Sequence, residues 1–191
     1  MIRDLLLQNR SYRSYDSSVE VTKEDLLDIV ECTIFAPSST NLQPLKYRLV
    51  YEADEVANFA PLTHWAKRLP DLTLPPEGHH PTSYIVICHD TEIAKNPMAF
   101  YKDVGIVAQS MLLGAVEAGL GGCMIGNFVP EKVSENLKIN ERCVPVLVIA
   151  IGKPDDIIII TQAVKGGSVD YFRDENNIHY VPKRPLDEVV L

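Results

Sequence analysis

Four short runs of the sequence carry residue types that could hold a flat, anionic ligand. Asn9-Arg10-Ser11-Tyr12-Arg13-Ser14-Tyr15-Asp16 sets two arginines three residues apart, with a hydroxyl between them. Guanidinium groups so spaced can cradle a phosphate, each charge-assisted bond contributing about 1.5–3 kcal/mol. The same run also reads as a solvated, charged turn. Ala36-Pro37-Ser38-Ser39-Thr40-Asn41-Leu42-Gln43-Pro44 offers side-chain amides with both donors and acceptors, which suit a heterocycle edge of alternating carbonyl and N–H groups. It also reads as an Asx-rich loop between a helix and a strand.

Gly119-Leu120-Gly121-Gly122-Cys123-Met124-Ile125-Gly126-Asn127 is the third run. A dinucleotide-binding GxGxxG fingerprint fails here, because Met124 stands at the third glycine position and the run follows a helix instead of opening one. No GxxxxGK[ST] phosphate loop occurs anywhere. What remains is a glycine-rich turn feeding an extended segment whose backbone can approach a flat ligand closely. Lys183-Arg184 is the fourth run, a further pair of cations or a solvated tail.

Other chemistries find little support. His64, His79, His80 and His89 include no i, i+4 pair and no HExxH. His79 and His80 are adjacent and point apart on extended backbone, so no metal site is expected. Cys32, Cys88, Cys123 and Cys143 are widely spaced with no CxxC, which reads as four reduced, mostly buried thiols. No catalytic triad signature is present, so no side chain is expected to act as nucleophile.

The elements that must position these runs follow from periodicity. Thr22 with Asp25 forms a capping box ahead of apolar residues at Leu26, Ile29, Val30, Ile34 and Phe35, a helix expected to end at Pro37. Tyr47, Leu49 and Tyr51 alternate as in a strand, while Tyr84–Cys88 and Val144–Ile151 are continuous apolar runs typical of buried strands. Phe100–Ala118 predicts the longest helix, apolar nearly all round, hence central or at an oligomer interface. Pro130 suits the first turn of a helix carrying Val133 and Leu137. Residues 62–81, rich in proline and histidine, read as a long irregular insertion. The Ile157–Ile160 strand, far from the main core, is a candidate for pairing with another chain's sheet. Helices around a short mixed sheet make the fold class α+β, one domain over 1–191 with a C-terminal arm from about 154.

Composition narrows the function classes. With 191 residues, 46% of them hydrophobic and 23% charged, the chain is an ordinary globular protein. At this length it can bury roughly 70% of its unfolded surface without disulfide or metal support. A net charge of −8 opposes nonspecific binding to nucleic acid or anionic lipid. The opening Met1-Ile2-Arg3-Asp4 lacks a signal peptide's apolar run, and no apolar stretch reaches the ~18 residues of a membrane span. A soluble, cytoplasmic protein is expected, with no nucleic-acid or membrane partner.

Taken together and in order, these runs resemble the FMN-dependent nitroreductase family in one of its small forms. The resemblance rests on Arg10–Arg13, Pro37–Pro44, Asp103-Val104-Gly105-Ile106-Val107-Ala108-Gln109, Gly119–Gly126 and Lys183-Arg184-Pro185-Leu186, and spans nearly the whole chain. It implies an intertwined homodimer with a central mixed or antiparallel sheet, the C-terminal extension lying on the partner. Two FMN sites at the interface would each be built by both chains. By the family's pattern Arg10, Ser11 and Arg13, with Tyr12 between them, hold the flavin's phosphate, ribityl chain or pyrimidine edge. Ser38, Ser39 and Asn41, in a loop that includes Pro37 and Gln43, reach the flavin from the partner subunit. Met124, Ile125 and Gly126 match the segment facing the ring near N5 and O4, and Lys183 and Arg184 match the basic pair that closes on the phosphate. Lys67 aligns near the N1–C2=O edge. Two departures stand out: Leu45 follows Gln43-Pro44 where relatives often carry tryptophan, and Asn9 stands where many have a basic residue.

The implied activity is transfer of hydride from NADH or NADPH through FMN N5 to a small oxidised acceptor such as a nitro compound or quinone. The flavin would carry the chemistry, while the protein orients it and excludes solvent. Two alternatives stay open: a protein that binds FMN as sensor or store without turnover, and another FMN reaction such as dehalogenation or flavin breakdown.

Overall fold

The structure, a computed structural model, describes residues 1–66, 69 and 72–191. Two apolar strands build its centre. β2 (Ser83–Asp90) is buried at every residue, and β4 (Cys143–Gly152) over its second half. They pair antiparallel from Ser83↔Ile151 to Asp90↔Cys143, with one irregularity between Ile87 and Cys88. β1 (Leu45–Val50) lies beside β2 and β3 (Gly121–Ile125) beside β4, giving a four-stranded sheet of order β1-β2-β4-β3. This sheet is antiparallel throughout.

Its two central strands are apolar at successive positions because both faces are covered. Ile85, Ile87, Ile149 and Ile151 pack with α2 (Lys23–Glu31) and α4 (Tyr101–Glu117). The intervening Tyr84, Val86, Cys88, Val148 and Ala150 pack with Phe59 of α3 (Ala53–Phe59) and with Val133 and Leu137 of α5 (Pro130–Leu137). Side chains alternate between faces along a strand, so the doubly covered stretch Tyr84–Cys88 is apolar at every position, and the buried polar Ser83, His89 and Asp90 fall at the strand ends.

The capping box forms as expected: Asp25 N–H donates to Thr22 Oγ1 at 3.2 Å, and Thr22 N–H to Asp25 Oδ2 at 2.8 Å. The helix it opens ends at Glu31, short of the expected Pro37. The Thr33 hydroxyl donates to Val30 O at 2.7 Å and competes with continued helix, and the chain leaves through single turns. Ile34 and Phe35, expected on the buried face, are 74% and 83% exposed. All four cysteines are free; Cys88 and Cys123 are buried, Cys32 and Cys143 only half-buried. From 63 to 82 the described residues form no helix or strand.

The C-terminal arm forms a separate small sheet. β5 (Ile158–Gln162) runs parallel to β7 (His179–Lys183), and β6 (Phe172–Arg173) antiparallel to it, in the order β5-β7-β6. The Ile157–Ile160 strand thus finds a partner within its own chain, and mixed pairing is confined to this sheet. Two short helices, α1 (Ile2–Gln8) and α6 (Leu186–Val189), stand near the ends.

Candidate functional site

The N-terminal run is fixed between the ends of two strands. Ser11 bridges parallel to Gly122 of β3, Tyr12 N–H donates to Gly122 O at 3.2 Å, and Asp16 N–H donates to Lys153 O at 2.8 Å just past β4. Tyr15 is fully buried, and its hydroxyl donates to Tyr12 O at 2.8 Å. Only glycine permits this approach at position 122, where a Cβ would sit 2.4 Å from Ala150 O and 2.8 Å from Leu112 Cδ2. The ring of Tyr12 covers Gly121 on the same grounds, since a Cβ there would meet it at 2.7 Å.

The arm attaches to this run through charge. Asp156 accepts the Arg13 backbone N–H at 3.1 Å and pairs with Arg173 at 3.0 Å; the Asp156 and Arg173 side chains are 1% and 5% exposed. The Arg13 guanidinium lies 5.3 Å over the Tyr171 ring and donates to Ser11 O at 3.1 Å. Burial raises the Asp156 carboxyl pKa, and the Arg13 N–H and both arginine charges oppose that rise.

Between run, arm and α4 lies a cavity of about 360 Å³, walled by Arg10, Ser11, Arg13, Gln109, Met124, Tyr171, His179 and Lys183 among others. Three cations face it, and no carboxylate is among its described walls. Burial lowers the Arg10 pKa, and the Arg10 Nη2 donates to Leu6 O while its Nε is enclosed without a partner among the described residues. An electropositive cavity holding unpaired polar groups is suited to an anion that can accept several hydrogen bonds.

The other predicted residues sort around it. Met124 is in the wall, Ile125 is buried in the core beneath, and Gly126 is exposed, with open space where a Cβ would stand. Lys183 is in the wall, but Arg184 pairs with Glu188 at 3.1 Å and is not. Pro37, Ser38 and Gln43 line a different hollow of about 260 Å³ on the same chain. Buried Asp103 in the first turn of α4 holds that loop, accepting from Ser38 Oγ at 2.7 Å and Ser39 N–H at 2.9 Å. Thr40, Asn41 and Gln43 all have φ between 52° and 55°, a costly region for residues with a Cβ. Asn41 Oδ1 accepts from Gln43 Nε2 at 3.1 Å. Lys67 lies outside the described residues. A second groove, about 1,060 Å³ beside Trp65 and Tyr84, has none of the predicted residues and no cluster of cations among its described walls.

Several wall residues were missed by sequence reasoning, Tyr171 and His179 among them. His179 is 1% exposed, packs 5.3 Å from the Tyr171 ring, and has no partner at Nδ1 among the described residues. Burial, then the charges of Arg13 and Arg173, push its pKa down to about 4, so the imidazole is neutral at physiological pH. The available signal was strand alternation: His179, Val181 and Lys183 share one face of β7, and all three line the cavity.

Comparisons with known proteins bear on the family and the fold. The model of the Nitroreductase family matches residues 6–153. An oxygen-insensitive NADPH nitroreductase of Helicobacter pylori (strain ATCC 700392 / 26695) is 26% identical over 182 residues, covering 79% of this chain and 86% of that protein. The structure of an FMN-dependent nitroreductase from Clostridium difficile R20291 superposes with a TM-score of 0.65 at 28% identity, over 82% of this chain and 88% of that one. A nitroreductase family protein from Streptococcus pneumoniae TIGR4 gives a TM-score of 0.71 over 100% of this chain and 99% of its own, at 19% identity, a likeness of fold that includes the arm.

Proposed function

The chain belongs to the nitroreductase family, and we propose that it is an NAD(P)H-dependent FMN oxidoreductase acting on a small oxidised acceptor such as a nitro compound or quinone. The observation that carries this reading is the cavity in which Arg10, Arg13 and Lys183 converge without a facing carboxylate among the described walls. Its unpaired buried nitrogens fit the phosphate end of FMN, which presents two negative charges and several acceptor oxygens. Bound there, FMN would supply the hydride chemistry. Arg10, Arg13 and Lys183 hold the phosphate, Ser11 offers its hydroxyl, and the Met124–Gly126 backbone borders the ring. The apolar bodies of Leu112, Met124 and Val181 limit water in the pocket.

The Pro37–Gln43 loop lines a separate hollow in its own chain, and exposed Ile34 and Phe35 directly precede it. Apolar side chains so exposed suit an interface. A homodimer in which Ser38, Ser39 and Asn41 complete the partner's site accounts for both facts. The outer edge of β5, unpaired among the described residues, is available to the same partner.

The test is spectroscopic. Purified protein should carry or take up FMN stoichiometrically, and the bound flavin should bleach under anaerobic NADH or NADPH and recover on adding a nitroaromatic or quinone. Flavin that binds but is reduced by neither nucleotide would leave a binding protein; failure to bind FMN would reject the assignment. Sedimentation at micromolar concentration should give a dimer, and a monomer that still binds FMN would reject the shared site.

A further inference from the structure

We propose that His179 is a further ligand-binding residue of the cationic cavity: its imidazole hydrogen-bonds the phosphate end of the ligand and favours the phosphate ester over the unphosphorylated compound. The inference rests on the FMN reading above and extends it to a residue that the family resemblance did not assign.

The geometry sets His179 where a structural histidine is hard to account for. The ring is enclosed, yet Nδ1 meets no acceptor or donor among the described residues. An unpaired polar nitrogen in a closed site is unfavourable unless a ligand pairs with it. The charged and titratable groups around it come from every neighbouring element. Arg10 and Arg13 stand on the N-terminal run, Tyr171 and Arg173 at β6, and Lys183 two turns of alternation along β7. Asp156, the carboxylate paired with Arg173 in that network, also accepts the Arg13 N–H. The imidazole therefore sits in a positive field, with no carboxylate among the described walls of the cavity to answer it. A phosphate supplies that anion, and a neutral ring can bond it without adding another like charge beside Arg13.

Position in the strand supports the same assignment. The parallel pairing of β5 with β7 puts His179 opposite Ile158, and its backbone N–H donates to Ile157 O at 2.9 Å. The backbone is thus satisfied by the arm, and only the ring is left for the cavity.

The experiment compares FMN, riboflavin and inorganic phosphate on the full chain. His179→Phe keeps a ring against Tyr171 and removes both nitrogens; His179→Gln keeps hydrogen-bonding capacity. His179→Phe should weaken FMN about ten- to hundredfold and leave riboflavin unchanged, and His179→Gln should recover part of the loss. In wild-type protein labelled with 15N at histidine, the His179 ring resonances should move on adding FMN or inorganic phosphate and stay with riboflavin. Equal weakening of FMN and riboflavin, or no change in either, would overturn the assignment, as would ring resonances indifferent to phosphate. The resonance measurement stands even where the variants fail to fold. A wild-type chain that binds phosphate through His179 but not FMN would fail the proposed function and keep this inference; FMN binding that ignores His179 would do the reverse.

Discussion

The four-stranded sheet and the three-stranded arm sheet differ in what holds them. In the former, the centre is Ile85, Ile87, Ile149 and Ile151 on one face and Val86, Val148 and Ala150 on the other, all buried. Each such isoleucine or valine contributes about 1.5–3 kcal/mol by leaving water. The arm buries few residues: β5 and β6 have no fully buried position, and β7 has His179 alone. Its anchor is the enclosed Asp156–Arg173 pair and their contacts with Arg13. An apolar core tolerates loss of one contact gradually, whereas a buried charge pair fails when either partner goes. The region that carries the cavity's polar wall is thus the one whose attachment depends on charge, and the family match ends at 153, where the arm begins.

Removing Asp156 should separate the two regions most sharply. Asp156→Ala leaves Arg173 buried and uncompensated, a loss of about 3–5 kcal/mol. Amide exchange should accelerate across His179–Lys183 while β2 and β4 stay protected. Equal loss of protection in both sheets would show that they unfold as one and would break the comparison.

Acid should weaken the arm next. The His179 pKa lies at about 4 in the folded chain against an ordinary 6.5, so the unfolded chain takes the proton first. Its stabilisation is complete above about pH 6.5 and is lost as pH falls toward 4, a change of about 3 kcal/mol. The raised pKa of Asp156 has the opposite sign, favouring the folded state at low pH, and enters only near and above the ordinary carboxyl range. Urea unfolding at pH 7 and pH 4.5, read by an arm probe, should show the loss, and His179→Phe should abolish most of it. An unchanged slope in that variant would remove His179 as the cause.

Gly122→Ala acts where the two regions meet. Its Cβ would press on Ala150 O and Leu112, an overpacking loss of about 1–3 kcal/mol. Because Ser11 and Tyr12 hang on this residue, FMN affinity should fall along with thermal stability. Lower stability with unaltered affinity would uncouple the run from β3.

Thr22→Ala should have the smallest effect, about 1 kcal/mol from loss of the helix cap. It should lower the denaturation midpoint of the main body without changing exchange in the arm. A matching change in the arm would indicate coupling across the molecule that the contacts described here do not provide.

Much of the main body was legible because its signals are local. Continuous apolar runs marked β2 and β4, the Thr22–Asp25 box marked the start of α2, and Pro130 marked α5. The end of α2 was not, because Pro37 was the stronger formal breaker and the Thr33 hydroxyl acted four residues earlier. Ile34 and Phe35 kept helical spacing yet came out exposed, so periodicity alone did not distinguish a core face from a surface one.

By itself the sequence determined which residues had the chemistry for an anionic ring ligand, and the elements on which they lie, since residue type and short-range spacing fix both. Only the tertiary structure decided which of them meet. Arg10 and Arg13 join Lys183 because Ser11 bridges Gly122 and Asp156 ties the arm to Arg13. Arg184, one residue on, faces Glu188 instead, and His179 enters the cavity because it shares a strand face with Lys183. Pairing register between segments far apart in the chain controls these outcomes, and a shift of one residue in β7 would exchange the faces.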